Sequence, residues 1–418
     1  MNRQRIAIIG SGISGLTAAY LIHQEHDISV FEANNYIGGH TATIDVQQGA
    51  KHYKVDTGFI VCNDRNYPNF LALMDMLGVN LQETEMSFSV RNNPLNLEYN
   101  GHNLNTLFSQ RLNILRPKFH RLVRDILRFN KAAKAAIAAG DAEDITLDEF
   151  VQRHNLSAVF KENYLLPMVA AIWSCSLQQA GEFPLQFFLK FFLNHGLLDI
   201  KNRPQWYVLV GGSRTYIDPL TAGFRDRIRL NTPVTSVLRQ ESHVEVTCDS
   251  GTETFDQVIF ACHSDQALAL LANANPAEKD ILSDLEYQEN DVILHCDDSL
   301  MPKKPLSWAS WNFLAGEHKN DEPPLVTYSM NILQGIKSDD PFLVSLNARH
   351  KIDSKKIIGE YIYAHPVYSL KGMRAQARRN EISGLDRIHY CGAYWYNGFH
   401  EDGVRSALDV GEKFGAKL

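Results

Sequence analysis

Residues 6–15 read Ile6-Ala7-Ile8-Ile9-Gly10-Ser11-Gly12-Ile13-Ser14-Gly15, and the chain runs on through Leu16-Thr17-Ala18-Ala19 to a second apolar stretch, Ile28-Ser29-Val30-Phe31, ending on Glu32. The order predicts a strand, a glycine turn, a helix, a second strand and an acid. That is the arrangement in which backbone N–H groups approach a pyrophosphate and a helix N-terminus faces it. Gly10 permits the sharp turn out of the strand, Gly12 admits the phosphates, and Gly15 allows the helix to pack closely on the sheet. Ile13 and Ser14 open the helix. Glu32, seventeen residues after Gly15, is placed to accept hydrogen bonds from both ribose hydroxyls of an adenine dinucleotide, with Ala33 beside it. A ribose 2'-phosphate would be repelled there, which disfavours NADP.

Around this unit the chain has the composition of an ordinary globular protein. It has 418 residues, 44% of them hydrophobic and 21% charged, and a net charge of −7. The acidic balance and the absence of a long basic run argue against nucleic acid as a partner. Six cysteines, at 62, 175, 248, 262, 296 and 391, show neither Cys-x-x-Cys pairs nor metal-ligand spacing, so a reducing compartment and no metal are expected. No segment has the length and apolarity of a membrane span. A cytoplasmic protein is the expectation, with peripheral contact at the inner face of the membrane left open.

Further along, Gly38-Gly39-His40-Thr41 suggests a second close approach of backbone to ligand. Asp56-Thr57-Gly58-Phe59-Ile60 ends a strand. Residues 67–200 read mostly as helices, the clearest over 118–139, with Phe119, Leu122, Val123, Ile126, Leu127 and Phe129 on one side. Extended patterns return near Tyr207-Val208-Leu209-Val210-Gly211-Gly212, at Val234, and over Asp256–His263, which contains Ala261. The chain closes with a strand into Gly392-Ala393 and a helix from about Val404 to Phe414. One nucleotide-binding domain is thereby expected from separated segments, 1–66, 204–285 and 381–418. Residues 67–203 and 286–380 make a substrate domain, and the strands near Val234 and Val258 are expected to share one sheet with the first and last strands.

These pieces, in this order, resemble the flavin-containing amine oxidase superfamily, which also holds phytoene desaturases and protoporphyrinogen oxidases. The resemblance implies an α/β fold: a Rossmann-like FAD-binding domain of the amine-oxidase type, plus an α+β substrate domain. It implies FAD as cofactor, the backbone at Val234 meeting the adenine, and the last helix pointing its N-terminus at the flavin through Asp402, Gly403 and Val404. A helix starting at Gly403 would place positive partial charge near flavin N1. The superfamily usually has Arg after the glycine pair. His40 makes that contact titratable, which bears on how strongly the cofactor is retained. Gly38-Gly-His-Thr, Ala171-Ile-Trp-Ser174, Gln205 to Ser213 and Gly398-Phe-His-Glu-Asp-Gly403 are more similar still to a branch of FAD/NAD-binding proteins associated with cyclopropane fatty-acyl-phospholipid synthases. That implies a lipid-linked redox role and a lipid-modifying methyltransferase as partner.

Flavin chemistry needs a substrate C–H held near flavin N5, a stabilised reduced ring and exclusion of water. His400 and Glu401 beside the last helix, with Tyr394 after the glycine turn, are the candidates for proton transfer or substrate contact. Glu401 and Asp402 equally suit caps of that helix. Phe183-Pro-Leu-Gln-Phe187-Phe188-Leu-Lys-Phe191-Phe192 is read either as core or as the wall of an apolar tunnel or membrane-dipping face. Lys371 to Arg379 is a basic helical face that suits solvent or a phospholipid headgroup. With one glycine fingerprint only, no NAD(P)H site is expected, and electrons enter from the substrate. The leading expectation is an FAD-dependent oxidase, dehydrogenase or desaturase acting on an apolar, acyl-chain substrate. The alternatives are a flavin-binding accessory to a lipid-modifying methyltransferase and an amine oxidase.

Overall fold

Ile6, Ala7, Ile8, Val30, Val258 and Ile259 are all fully buried, because the strands that carry them are covered on both faces. In a computed structural model that describes residues 3–140, 145–199, 203–316 and 324–418, the first strand, Arg5–Ile9, lies at the centre of a five-stranded parallel sheet. Asp27–Phe31 pairs with it on one side and Gln257–Phe260 on the other. Ile228–Arg229 and Ile388–Tyr390 form the edges. Parallel strands buried on both sides read as continuous apolar runs, as these do. The opening helix, Ile13–Ile22, and the terminal helix, His400–Gly411, pack together against one face. The other face is covered by a three-stranded antiparallel sheet through Val237, Val244, Val246 and Phe255.

That small sheet corrects one expectation. Val234–Arg239 pairs antiparallel with Val244–Cys248, and Gly251–Phe255 completes the set, so the Val234 strand stands outside the parallel sheet. Ile228–Arg229 takes the edge position, held by the Glu32 N–H donating to Arg229 O at 2.9 Å. The hairpin turn over Asp249-Ser250-Gly251 connects the two strands as its sequence implies.

Residues 67–200 are less helical than their sequence suggests. Phe88–Asn92 and Leu97–Asn100 are strands that form one end of a seven-stranded sheet, which continues through Trp311–Ala315, Val326–Ser329, Leu343–Leu346, Tyr287–His295 and Ile357–Pro366. The partner of Phe88 is Trp311, far along the chain, and short local patterns carry no trace of such a partner. The long helix, Pro117–Ala139, does form and ends on Gly140 at φ 74°. It buries Phe119, Leu122, Phe129 and Ala133, while Leu127, expected on the same side, is 48% exposed.

The aromatic helix, Leu185–Asn194, buries Phe187, Phe188, Phe191 and Phe192. Phe188 and Phe192 are at most 1% exposed, so they lie in the core and cannot enter a membrane surface. The basic face at 371–379 is likewise engaged: Lys371 bonds Glu286, Arg378 bonds Asp280 and Glu381, and Arg379 bonds Asp409. All six cysteines are free thiols. Among the described residues no helix is long and apolar enough to cross a membrane.

Candidate cofactor and active site

The glycine fingerprint is built as its spacing requires. Gly10 adopts φ 107°, and a Cβ there would lie 2.9 Å from the Ala261 carbonyl oxygen, so the turn admits glycine alone on both counts. A Cβ on Gly15 would come within 2.0 Å of Gly10 O. Nothing lies within 4 Å of the corresponding position at Gly12, which leaves that stretch of backbone open to a ligand. Gly12 caps the opening helix, with Ile13 and Ser14 in its first turn, so the positive end of the helix points into this open space.

Glu32 is buried beside the same loop. One carboxylate oxygen accepts from Ser11 N at 3.0 Å and Ser11 Oγ at 2.6 Å; the other accepts from Asn34 N and Nδ2, both at 2.9 Å. Two of these donors are on rotatable side chains. If Ser11 Oγ and Asn34 Nδ2 turn away, each oxygen keeps one backbone donor and gains one free acceptor site, which is what a ribose diol needs. The segment before Val234 adjoins this end, since Thr232 N donates to Glu32 O and Asn231 N to Asn34 O. Ala33 is exposed next to it.

Gly38 and Gly39 dock on the first loop. Gly38 N donates to Ser11 O at 3.0 Å, Gly12 and Gly38 form a parallel bridge, and a Cβ on Gly39 would lie 3.1 Å from Gly12 Cα. The chain then carries His40 and Thr41 along the interior, where Phe59 N donates to His40 O at 2.8 Å and Gly58 lies against the same carbonyl. Gly392, Ala393 and Ala261 leave the ends of neighbouring strands, with Cys391 N donating to Phe260 O and Ala261 N to Ile9 O.

The terminal helix starts at His400, earlier than its sequence suggests, and its first turn contains most of the candidates. Asp402 accepts from Phe399 N at 2.9 Å and so caps the helix. Burial pushes its carboxyl up to about 7. Glu401 caps a different helix. Its carboxylate accepts from Asn69 N, Asn69 Nδ2 and Phe70 N at 2.6–3.2 Å, holding the start of Pro68–Met76. Gly403 packs on Ile13, and Val404 is fully buried. The N-termini of the opening and terminal helices therefore converge, and their partial positive charges add.

His400 stacks on Phe59, with ring centres 3.7 Å apart. Its Nε2 is 3.1 Å from Thr41 Oγ1 and 3.4 Å from the Tyr216 hydroxyl, and Thr41 Oγ1 bonds Tyr216. Burial, reinforced by His40, lowers His400 to about 3. His40 has ring centres of Tyr363, His365 and His263 at 5.2, 5.7 and 6.1 Å. Burial first, then His365 and His263, lowers it to about 3. His365, bonded to Asn290, is lowered by burial to about 4, and His263, stacked on Tyr287, is lowered for the same reason. The site is lined by imidazoles that are neutral at physiological pH. Among the described residues no three His, Cys, Asp or Glu side chains are arranged to hold a metal.

Tyr394 is buried, its ring under Gly392, and its hydroxyl has no partner. The Tyr368 hydroxyl, Trp395 Nε1 and His40 Nε2 are also buried without partners. Buried polar atoms are seldom left unpaired, and His40 Nε2, just after the Gly38-Gly39 turn that docks on Gly12, is one that a polar ligand would satisfy. With the open backbone at Gly12, the converging helix ends and the freeable acceptors on Glu32, the residues present fit a flavin dinucleotide.

Several contributors carried no signal of their own in the sequence. Tyr216, Phe59 and Asn34 lie in unremarkable local contexts, and Ser11 was legible only as a spacer between glycines. Asp56, which binds Thr43 Oγ1, Ser213 N, Ser213 Oγ and Gln334, ties the Gly211-Gly212 turn to the start of the ligand path.

The sequence profile described as flavin containing amine oxidoreductase matches residues 13–304. No curated protein matches the chain by sequence. Among solved structures, a protein from Exiguobacterium sp. 255-15 assigned as a protoporphyrinogen oxidase is 16% identical, with TM-score 0.69 over 99% of both chains. Cyclohexylamine oxidase from Brevibacterium oxydans IH-35A is 15% identical, with TM-score 0.69, covering 99% of this chain and 100% of its own. A fatty acid isomerase from P. acnes that produces CLA is 14% identical, with TM-score 0.70 over 99% of both chains. At these identities the likeness establishes a shared fold over the whole length.

Proposed function

The chain belongs to the flavin containing amine oxidoreductase family, and from that premise we propose that this FAD-dependent oxidoreductase takes a hydride from carbon of an apolar substrate of the fatty-acyl or phospholipid class. The observation that carries the reading is the apolar, aromatic packing that reaches the start of the terminal helix. Phe191 stacks on Phe399 at 5.4 Å, and Phe187 on Tyr368 at 5.0 Å. The buried helix of phenylalanines thus runs up to the residue before His400. Solved structures of the same fold include proteins named for a fatty acid and for an amine, so the fold accommodates either. An ammonium needs a carboxylate or an open aromatic cage. Here Glu401 is committed to Asn69 and Phe70, Asp402 to its own helix end, and the imidazoles are neutral.

When bound, FAD supplies the redox chemistry, accepting hydride at flavin N5. The chain supplies the rest. The paired helix ends stabilise negative charge next to Gly12 and Gly403. The packed aromatic residues keep water out. The Thr41–Tyr216–His400 network is a hydrogen-bonded chain of exchangeable protons that leaves His400 uncharged. The absence of a second glycine fingerprint supports electrons entering from the substrate.

Anaerobic mixing of the FAD-loaded protein with phospholipid extract, with unsaturated fatty acids and with primary amines, followed by the flavin absorbance, tests this. Bleaching by lipid or fatty acid and not by amines is expected. Bleaching by amines alone refutes the substrate class, and a flavin that no substrate bleaches favours the accessory role.

A further inference from the structure

A strip of surface away from the cofactor path combines two features that water does not favour together. Leu104, Leu112, Ile114 and Leu115 are 76%, 67%, 52% and 79% exposed. They lie on Leu104–Leu107 and on the turn Arg111–Leu115, which leads into the long helix at Pro117. Ser109 bonds Ser307 at 2.6 Å, which brings the turn Pro305–Ser307 alongside, with Leu306 40% exposed and Lys303 and Lys304 exposed.

The charge on this strip is predominantly positive, the carboxylates beside it being Glu85 against His102 and the buried Asp125 against Arg121 and Arg128. Residues 101–124 contain Arg111, Arg116, Lys118, Arg121 and Arg124 and no Asp or Glu, in a chain whose net charge is −7. The Arg111 guanidinium donates to Asn105 and to the Phe108 carbonyl, and Arg116 donates to Asn96 O and Asn113 Oδ1. These bonds fix the guanidinium groups and leave their charge uncompensated. Asn113, between Leu112 and Ile114, is fully buried, so the apolar side chains on either side of it are presented outward by a turn anchored from within. The nearby Glu98 is buried and spent on the backbone N–H groups of Lys303 and Lys304.

We propose that this face seats the protein on a bilayer containing anionic phospholipid. Leucine and isoleucine side chains interleaved with Arg and Lys on one short turn match the boundary between acyl chains and phosphates. A second copy of the chain would bring the same cations against themselves in a two-fold contact, and lysine is depleted from the cores of protein interfaces. The inference stands apart from the substrate reading, because a membrane seat is a property of this surface whatever the flavin oxidises.

Sedimentation of the FAD-loaded full chain with vesicles tests it. Vesicles of phosphatidylcholine mixed with phosphatidylglycerol are expected to carry the protein down, and phosphatidylcholine alone much less. Leu112→Ser with Leu115→Ser, and separately Lys118→Gln with Arg124→Gln, should each weaken partitioning by about tenfold or more while leaving the melting midpoint unchanged. Failure to sediment with either vesicle overturns the proposal. So does equal binding of the leucine pair and the unchanged chain, or equal binding to both lipid compositions. Self-association that the leucine pair abolishes, without vesicle binding, assigns the face to a second copy instead.

Discussion

Gly403 of the terminal helix lies against Ile13 of the opening helix: a Cβ at Gly403 would sit 2.6 Å from Ile13 Cγ2 and 3.0 Å from Ser14 Oγ. Almost the whole chain separates these residues in sequence. Their contact aligns two helix N-termini on one interior, and it explains why a glycine occurs in the first turn of a helix that would otherwise be steadier with alanine.

Gly403→Ala should therefore weaken FAD binding more than it alters stability. Overpacking costs about 1–3 kcal/mol, offset by about 1 kcal/mol of helix propensity, while the helix end is pushed off its position. Flavin titration and thermal melting measure the two effects. Ile13→Ala in the same chain should restore affinity, and no restoration would mean the contact is not the cause.

Glu32→Gln should lower FAD affinity by roughly 2 kcal/mol, the range for a hydrogen bond to a charged group. The new amide N–H₂ would also face Ser11 or Asn34 as donor against donor. Ser11→Ala removes a side-chain donor that the ribose displaces, so its effect on affinity should be small. Equal losses in the two variants would show that Ser11, rather than Glu32, meets the ligand.

The apoprotein should lose stability on acidification. His40 and His400 are held at about 3, and His195, His295, His365 and His389 at about 4, below the unfolded value of about 6.5. Between these limits the unfolded chain binds more protons, so stability rises with pH. Asp56 and Asp402, raised to about 6 and about 7, act in the opposite sense above their unfolded value of about 3.9. The six imidazoles outweigh the two carboxyls. The melting midpoint should fall as pH drops from 7 toward 4.5, less steeply in His365→Gln, and a flat profile would contradict this assignment.

Glu401→Gln should cost about 1–2 kcal/mol through loss of the carboxylate cap on Pro68–Met76, with the rate of flavin reduction per folded, FAD-loaded molecule preserved. Thermal melting and anaerobic stopped flow separate the two. A reduction rate that collapses at unchanged stability would return Glu401 to the chemistry.

His400→Gln should slow reduction at saturating substrate while FAD affinity changes little, because its Nε2 partners are Thr41 and Tyr216. Thr41→Val should reproduce part of the effect. If both variants reduce normally, the network only positions the helix.

What was legible in the sequence follows from local physical chemistry. A tight turn after a parallel strand needs glycine, a helix packed on that turn needs glycine again, and a ribose needs an acid at the end of the next strand. These constraints act over a few residues, so Gly10, Gly12, Gly15 and Glu32 declared both the fold and the class of ligand. The paired Gly38-Gly39 announced a second close approach of backbone to ligand, while the terminal Gly403 could be placed only by resemblance, since its partner Ile13 lies almost the whole chain away.

The remainder was decided only in three dimensions. The same acidic pair, Glu401 and Asp402, serves two different helix ends, because Glu401 projects from the first turn toward Pro68–Met76 while Asp402 turns back on its own backbone. Four histidines from distant segments share one interior where burial, reinforced for His40, His365 and His400 by a neighbouring imidazole, lowers their pKa values, and burial depends on neighbours that the local sequence does not contain. Phe188 and Leu115 are both large and apolar, yet one is sealed in the core and the other stands in water. Hydrophobicity fixes that a side chain seeks burial; whether it finds any depends on which elements the fold brings over it.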